Sequence, residues 1–167
     1  MKKNSNIKFL ILSISIALAA GGISYLLTGP NYSIYQSLKQ PPLSPPSAVF
    51  PIVWTILYIL MGIATYLVIN SVEQKPTAKI PNVMEEIKKG LLFYAIQLAF
   101  NIFWSPVFFR FQFFFLALII LAVLWYFVFQ TYITYKKIYR PAALLFIPYI
   151  IWCTYAFYLN FGVVILN

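Results

Sequence analysis

Three sets of side chains in this sequence recur at the spacing of a single helical face, and they are the groups that could meet a small molecule. Trp54, Tyr58, Met61 and Thr65 form the first set. Gln97, Asn101, Trp104, Ser105 and Phe108 form the second, and Trp152, Ala156 and Asn160, with Tyr149 one turn earlier, form the third. Such side chains offer flat π-faces to stack on and amides to hydrogen-bond with, but little that moves a proton. The chain has no histidine, and its only acids, Glu73, Glu85 and Glu86, fall together in one connector. Acid–base catalysis and carboxylate proton relays inside a membrane are excluded on that ground. Cys153 is the single cysteine, so no disulfide forms within the chain, and its place inside an apolar run marks it as a small buried hydrophobe. With neither histidine nor a cysteine pair there is no evident zinc or haem-iron site, only thioether or phenol groups as remote ligands. The expectation is therefore no metal and no resident cofactor. No nucleotide motif and no nucleophile–base pair is found.

These sets must be positioned by elements that live in lipid. Of 167 residues 62% are hydrophobic and only 9% charged, against roughly 25% charged in an ordinary soluble domain. Five stretches reach the roughly 20 apolar residues that a hydrocarbon core demands: Ile7 to Thr28, Ala48 to Asn70, Leu91 to Phe109, Phe113 to Tyr135, and Ala142 to Leu166. Apart from Lys8 none carries a charge. Within lipid every backbone N–H and C=O must find its partner inside the segment, so runs of this length are helices. The fold class is all-α, one polytopic membrane domain over residues 1–167, a bundle of five transmembrane helices. Lys2, Lys3 and Lys8 ahead of Ala17-Leu18-Ala19-Ala20 also resemble a secretory signal. The apolar run continues through Gly21-Gly22 to Leu27, however, which favours an uncleaved helix. Its small residues Ser13, Ala17, Ala20, Gly21 and Ser24 mark it as a packing helix and not a chemical one.

The basic residues give the orientation. The formal net charge is +9, but the basic residues sit in short clusters between apolar runs and form no stripe, so no nucleic-acid partner is expected. Ten lie in the N-terminal segment, the second connector and the fourth (Lys2, Lys3, Lys8, Lys75, Lys79, Lys88, Lys89, Lys136, Lys137, Arg140), against only Lys39 and Arg110 in the first and third. By the positive-inside rule the N-terminus is cytoplasmic and the C-terminus outside, in an integral multi-pass protein of a bacterial plasma membrane. Lys39 and Arg110 read first as solvated charges, with pairing to a ligand's carboxylates as the alternative. The outer connector Gly29 to Ser47 holds Pro30, Pro41, Pro42, Pro45 and Pro46; proline fixes φ and removes donors, so this loop reads as stiff, extended and suited to a lid. The tryptophans fit interfacial belts as well as a pocket, and Gln97 and Asn101 fit interhelical hydrogen bonds as well as a ligand. Spacing alone stops at a helical bundle with an aromatic, amide-bearing interior.

Three ordered motifs go further. Lys39-Gln40-Pro41-Pro42-Leu43-Ser44-Pro45-Pro46 with Trp54-Thr55-Ile56-Leu57-Tyr58-Ile59-Leu60-Met61-Gly62-Ile63-Ala64, then Asn101-Ile102-Phe103-Trp104-Ser105-Pro106-Val107-Phe108-Phe109, then Pro148-Tyr149-Ile150-Ile151-Trp152 through Ala156, Leu159-Asn160 and Asn167, resemble the signature of the TspO/MBR family of tryptophan-rich sensory and translocator proteins. The resemblance implies a five-helix bundle, commonly a homodimer, whose pocket opens toward the first loop. It implies that porphyrins such as protoporphyrin IX, and synthetic benzodiazepine- or isoquinoline-type ligands, bind there as ligands and not as metal-ligated cofactors. Carried over by position, the pocket is lined by Trp54, Tyr58, Gln97, Asn101, Trp104, Tyr149, Trp152 and Ala156, with Pro41, Pro42, Pro45 and Pro46 in the lid. A light- and oxygen-dependent breakdown of bound porphyrin, or transport of porphyrin or lipid, are the other activities it allows. Two positions depart from the pattern. Ile34 and Leu43 stand where many relatives carry tryptophan in the loop, and after Tyr158 no basic residue completes the sterol pattern of animal members.

Overall fold

The computed structural model describes residues 2–31, 34–74 and 82–167. Lys75 and Lys79 of the charge count lie outside them. The described residues are helical, with no strand among them: α1 (Lys2–Thr28), α2 (Ile34–Ser37), α3 (Val49–Gln74), α4 (Val83–Ser105) continued by a π-helical turn (Pro106–Arg110), α5 (Phe114–Ile138), α6 (Arg140–Leu144) and α7 (Ile147–Leu166). Five spans are long and apolar enough to cross a membrane, α6 and α7 together making the fifth. The chain is thus the multi-pass membrane bundle its composition demands.

Going round the bundle, α1 packs on both α3 and α4, α4 on α5, and α5 on α6 and α7, while α6 closes the circle against α3. The α1–α3 seam is close because of Gly62. A Cβ there would come within 2.5 Å of the Ile14 Cα, so only glycine lets the two backbones meet. The lipid-facing sides are lined by large exposed apolar groups such as Phe9, Ile16, Leu26, Phe115, Ile119, Ile151 and Ile165. In water these would be a liability; in acyl chains they are the solvated surface.

The helix ends differ from the apolar runs for identifiable reasons. α4 starts eight residues before Leu91, because Glu85 and Glu86 suit the positive end of a helix and extend it past the apolar run. Glu86 also meets Lys137 near the end of α5 at 3.8 Å, a long contact between an exposed lysine and a partly buried carboxylate, worth less than about 1 kcal/mol. At the other end of that span, Pro106 has no N–H to continue the ladder. The helix widens by one residue, and the Phe111 N–H bonds the Pro106 carbonyl at 2.9 Å. The fifth span is not continuous. It breaks at Leu145 and Phe146, since Pro148 cannot donate back across the junction.

The proline segment is not extended, contrary to the expectation from its composition. It forms the one-turn α2, then turns through Leu43, whose φ of +65° is left-handed. Proline fixes only its own φ and biases the residue before it. Leu43 precedes Ser44, not a proline, and stays free to reverse the chain. The folded segment lies against the end of α7. Tyr155 donates to the Leu43 carbonyl, Tyr158 to the Pro42 carbonyl at 2.9 Å, and Asn167 exchanges two hydrogen bonds of 3.0 Å with the Lys39 backbone. Pro41 presses on Gly162, where a Cβ would lie 2.5 Å from its ring.

Candidate functional site

The amides expected to point inward do so, and they form one chain of hydrogen bonds linking α3, α4 and α7. Tyr58 donates to Asn101 Oδ1 at 2.8 Å, Asn101 Nδ2 donates to the Tyr149 hydroxyl at 2.6 Å, and Tyr149 donates to Gln97 Oε1 at 2.8 Å. Gln97 ends the chain on the Met61 sulfur at 3.4 Å. Gln97 is fully buried and Asn101 nearly so. An amide at that depth costs free energy unless it is paired, so the network fixes the registers of three helices as well as any ligand's orientation.

Above it, toward the proline segment, sits a cluster of rings. Trp54 lies 6.1 Å from Tyr58, 5.9 Å from Trp104 and 5.8 Å from Tyr149, centroid to centroid. Trp104 is held by its indole N–H, which reaches Asn160 Oδ1 at 3.3 Å, while Asn160 Nδ2 donates to the Phe114 carbonyl at 2.9 Å. A further layer of Tyr35, Phe50, Phe108 and Phe109 closes this end of the bundle, with Tyr35 from α2 edge-on to Phe50 at 5.1 Å. Burial in that layer pushes the Tyr35 phenol above its ordinary pKa.

A cavity of about 290 Å³ opens beside the ring cluster, lined by Trp54, Tyr58, Asn101 and Trp104, and on its far side by Gly21, Gly22, Ser24 and Tyr25 of α1. Four of the eight residues expected to line a pocket therefore share one. Gln97 and Tyr149 stand behind it as the polar backing of Asn101 and Trp54. Trp152 and Ala156 are outside it. Trp152 is half-buried between Phe50 (6.0 Å) and Tyr155 (5.5 Å), with its indole N–H enclosed and unpartnered, and Ala156 is a core contact of α7. Pro41, Pro42, Pro45 and Pro46, the expected lid, sit in the segment that lies against the end of α7, folded and not extended. Arg110 is not a free cation at the mouth. Its guanidinium donates to the Leu27 carbonyl at 3.0 Å and so caps the negative end of α1. Lys39 is exposed.

One wall was missed by sequence reasoning. The apolar run of α1 from Ile7 to Thr28 carries no amide or tryptophan and reads as a packing helix, yet Gly21 and Gly22 form the side of the cavity opposite Trp54. Gly21 lets the Tyr58 ring pass, since a Cβ there would collide with it, whereas a Cβ on Gly22 would meet nothing within 4 Å. The adjacent glycine pair was the available signal. What this arrangement can do is grip a flat apolar molecule between rings and hold it with an amide. Among the described residues no cluster of ligating side chains could hold a metal ion.

Comparison with known proteins places these observations in a wider set. The model of the TspO/MBR family matches residues 13–166. The chain is 36% identical over 165 residues to a tryptophan-rich protein TspO of Chlorobaculum tepidum, covering 98% of this chain and 99% of that one. It is 37% identical over 158 residues to a tryptophan-rich sensory protein of Cereibacter sphaeroides, covering 95% and 91%. It is 30% identical over 140 residues to the translocator protein of Ovis aries, covering 84% and 78%.

Proposed function

The chain belongs to the TspO/MBR family, and from that premise we propose that it is a membrane receptor for a flat aromatic molecule of the porphyrin class, protoporphyrin IX being the test ligand. The observation that carries the reading is the cavity itself, which Trp54, Tyr58 and Trp104 line with aromatic rings and Asn101 with an amide, beside the hydroxyls of Ser24, Thr55 and Ser105. Stacking on indole rings supplies affinity, and one or two amides fix orientation. The volume of about 290 Å³ stands at the lower edge of the roughly 300–1,000 Å³ of ligand pockets. A tetrapyrrole is therefore accommodated by displacement of rings or of α1. The N-terminus is cytoplasmic in this reading, the proline segment faces outward, and the protein works as a homodimer.

Titration of protoporphyrin IX into the protein in lipid nanodiscs, followed by tryptophan quenching, tests the assignment. Trp54→Leu removes the central ring of the cluster and is expected to weaken binding about tenfold, the equivalent of roughly 1.4 kcal/mol. Trp152→Leu lies outside the cavity and is expected to stay within about twofold. The reverse order of effects would move the site to the seam between the proline segment and α7.

A further inference from the structure

The cavity has two conceivable ways in, and they are built very differently. Toward the proline segment the path is closed twice. The layer of Tyr35, Phe50, Phe108 and Phe109 lies directly beyond Trp54 and Trp104, all four rings being 3% exposed or less. Over it the segment is fastened to α7 through Leu43, Pro42 and Lys39, as described above.

Sideways there is no such barrier. The cavity rim consists of Leu18, Gly22 and Tyr25 on α1 and Pro51 and Thr55 on α3, all of them exposed on the outside of the bundle. Leu18 and Tyr25 are 37% and 56% exposed, and Gly22 leaves a gap that no side chain fills. At about 1.5 Å of rise per residue, Gly22 stands six residues, or roughly 9 Å, below the end of α1 at Thr28, which is within the depth of the acyl chains. The rim faces lipid, not water.

We propose that ligands reach this cavity sideways from the bilayer, through the opening between α1 and α3 at Gly22, so that the site takes molecules that first dissolve in the membrane. The inference rests on the reading of the cavity as a ligand site, and it narrows the ligand class to compounds that partition into acyl chains. An aromatic that stays confined to water has no path. The proline segment then acts as a fixed cover and not as the door.

Gly22→Leu tests this, since its side chain points into open space and leucine favours a helix more than glycine does. In one arm, a chain keeping only Trp54 (Trp104→Phe, Trp125→Phe, Trp152→Phe) is placed in nanodiscs of phosphatidylcholine brominated along its acyl chains. Trp54 fluorescence is expected to be quenched, and Gly22→Leu in the same background to protect it. Quenching that is absent, or equal in both, overturns the opening. In the other arm, stopped-flow mixing of protoporphyrin IX with the chain otherwise unaltered is expected to show association and dissociation both slowed about tenfold by Gly22→Leu. Unchanged rates, or faster dissociation alone as from a merely filled cavity, overturn the route. Should the parent chain bind no porphyrin while the bromolipid contrast remains, the opening stands and the ligand assignment falls.

Discussion

Replacing Gly62 by leucine is expected to lower the stability of the bundle by on the order of 3 kcal/mol, the upper part of the range for overpacking a close contact. The cause is specific. The first atom of any side chain at this position would meet the backbone of α1 at Ile14, 2.5 Å from Cα and 2.9 Å from N, and a backbone cannot rotate out of the way as a side chain can. α1 must then lift from α3, which also opens the cavity wall. Thermal unfolding in detergent, or resistance to denaturing detergent, reads the loss directly. Gly22→Ala is the matched control. It adds the same first atom to the same helix pair where nothing stands within 4 Å, and is expected to leave the midpoint unchanged or slightly raised. Equal melting of Gly62→Leu and the parent chain would show that the α1–α3 seam is not packed as described.

The second large effect belongs to Asn101. Asn101→Leu keeps much of the volume but removes both the acceptor that Tyr58 uses and the donor that Tyr149 receives. The expected cost is about 2 kcal/mol, near the middle of the range for disrupting a buried hydrogen bond, with lipid surroundings arguing against a larger figure. The same change deprives the cavity of its amide, so porphyrin affinity should fall as well. Tyr149→Phe breaks the same chain from the α7 side, and the double variant should cost clearly less than the two single ones together. Strict additivity in melting experiments would mean that the two residues do not act as one network.

How much of this was legible beforehand follows from which forces decide each feature. The five spans and the inward stripes were, because lipid forbids unpaired backbone and because Gln97, Asn101 and Tyr149 can be buried only in company. Helix ends were less so, since Glu85 and Glu86 extend α4 through an electrostatic preference that a hydropathy pattern ignores. Prolines 106 and 148 were visible, but whether a proline starts, widens or breaks a helix depends on its neighbours. The proline segment was misjudged because its shape is set by distant partners. Tyr155, Tyr158 and Asn167 hold it down from the far end of the chain.

The candidate site divided along similar lines. Trp54, Tyr58, Asn101 and Trp104 were legible from their spacing on α3 and α4. Trp152 and Ala156 stood out by the same spacing on α7, but the packing of α7 against α5 and the folded segment keeps them apart from the cavity. Gly21 and Gly22 went unread as site residues because they contribute by lacking a side chain. Absence of bulk is written in a sequence only relative to a neighbour, and here that neighbour is the Tyr58 ring on another helix.

A flat ligand is expected to rest in the space between α1, α3 and α4. The location of protoporphyrin IX in an experimentally determined structure of the complex measures it without intermediaries. The tetrapyrrole is expected with its plane against Trp54 and Trp104, Asn101 within hydrogen-bond reach of its edge, and Gly21 and Gly22 on the opposite side. Density between Trp152 and the proline segment, or on the lipid-facing side of α5, would contradict it.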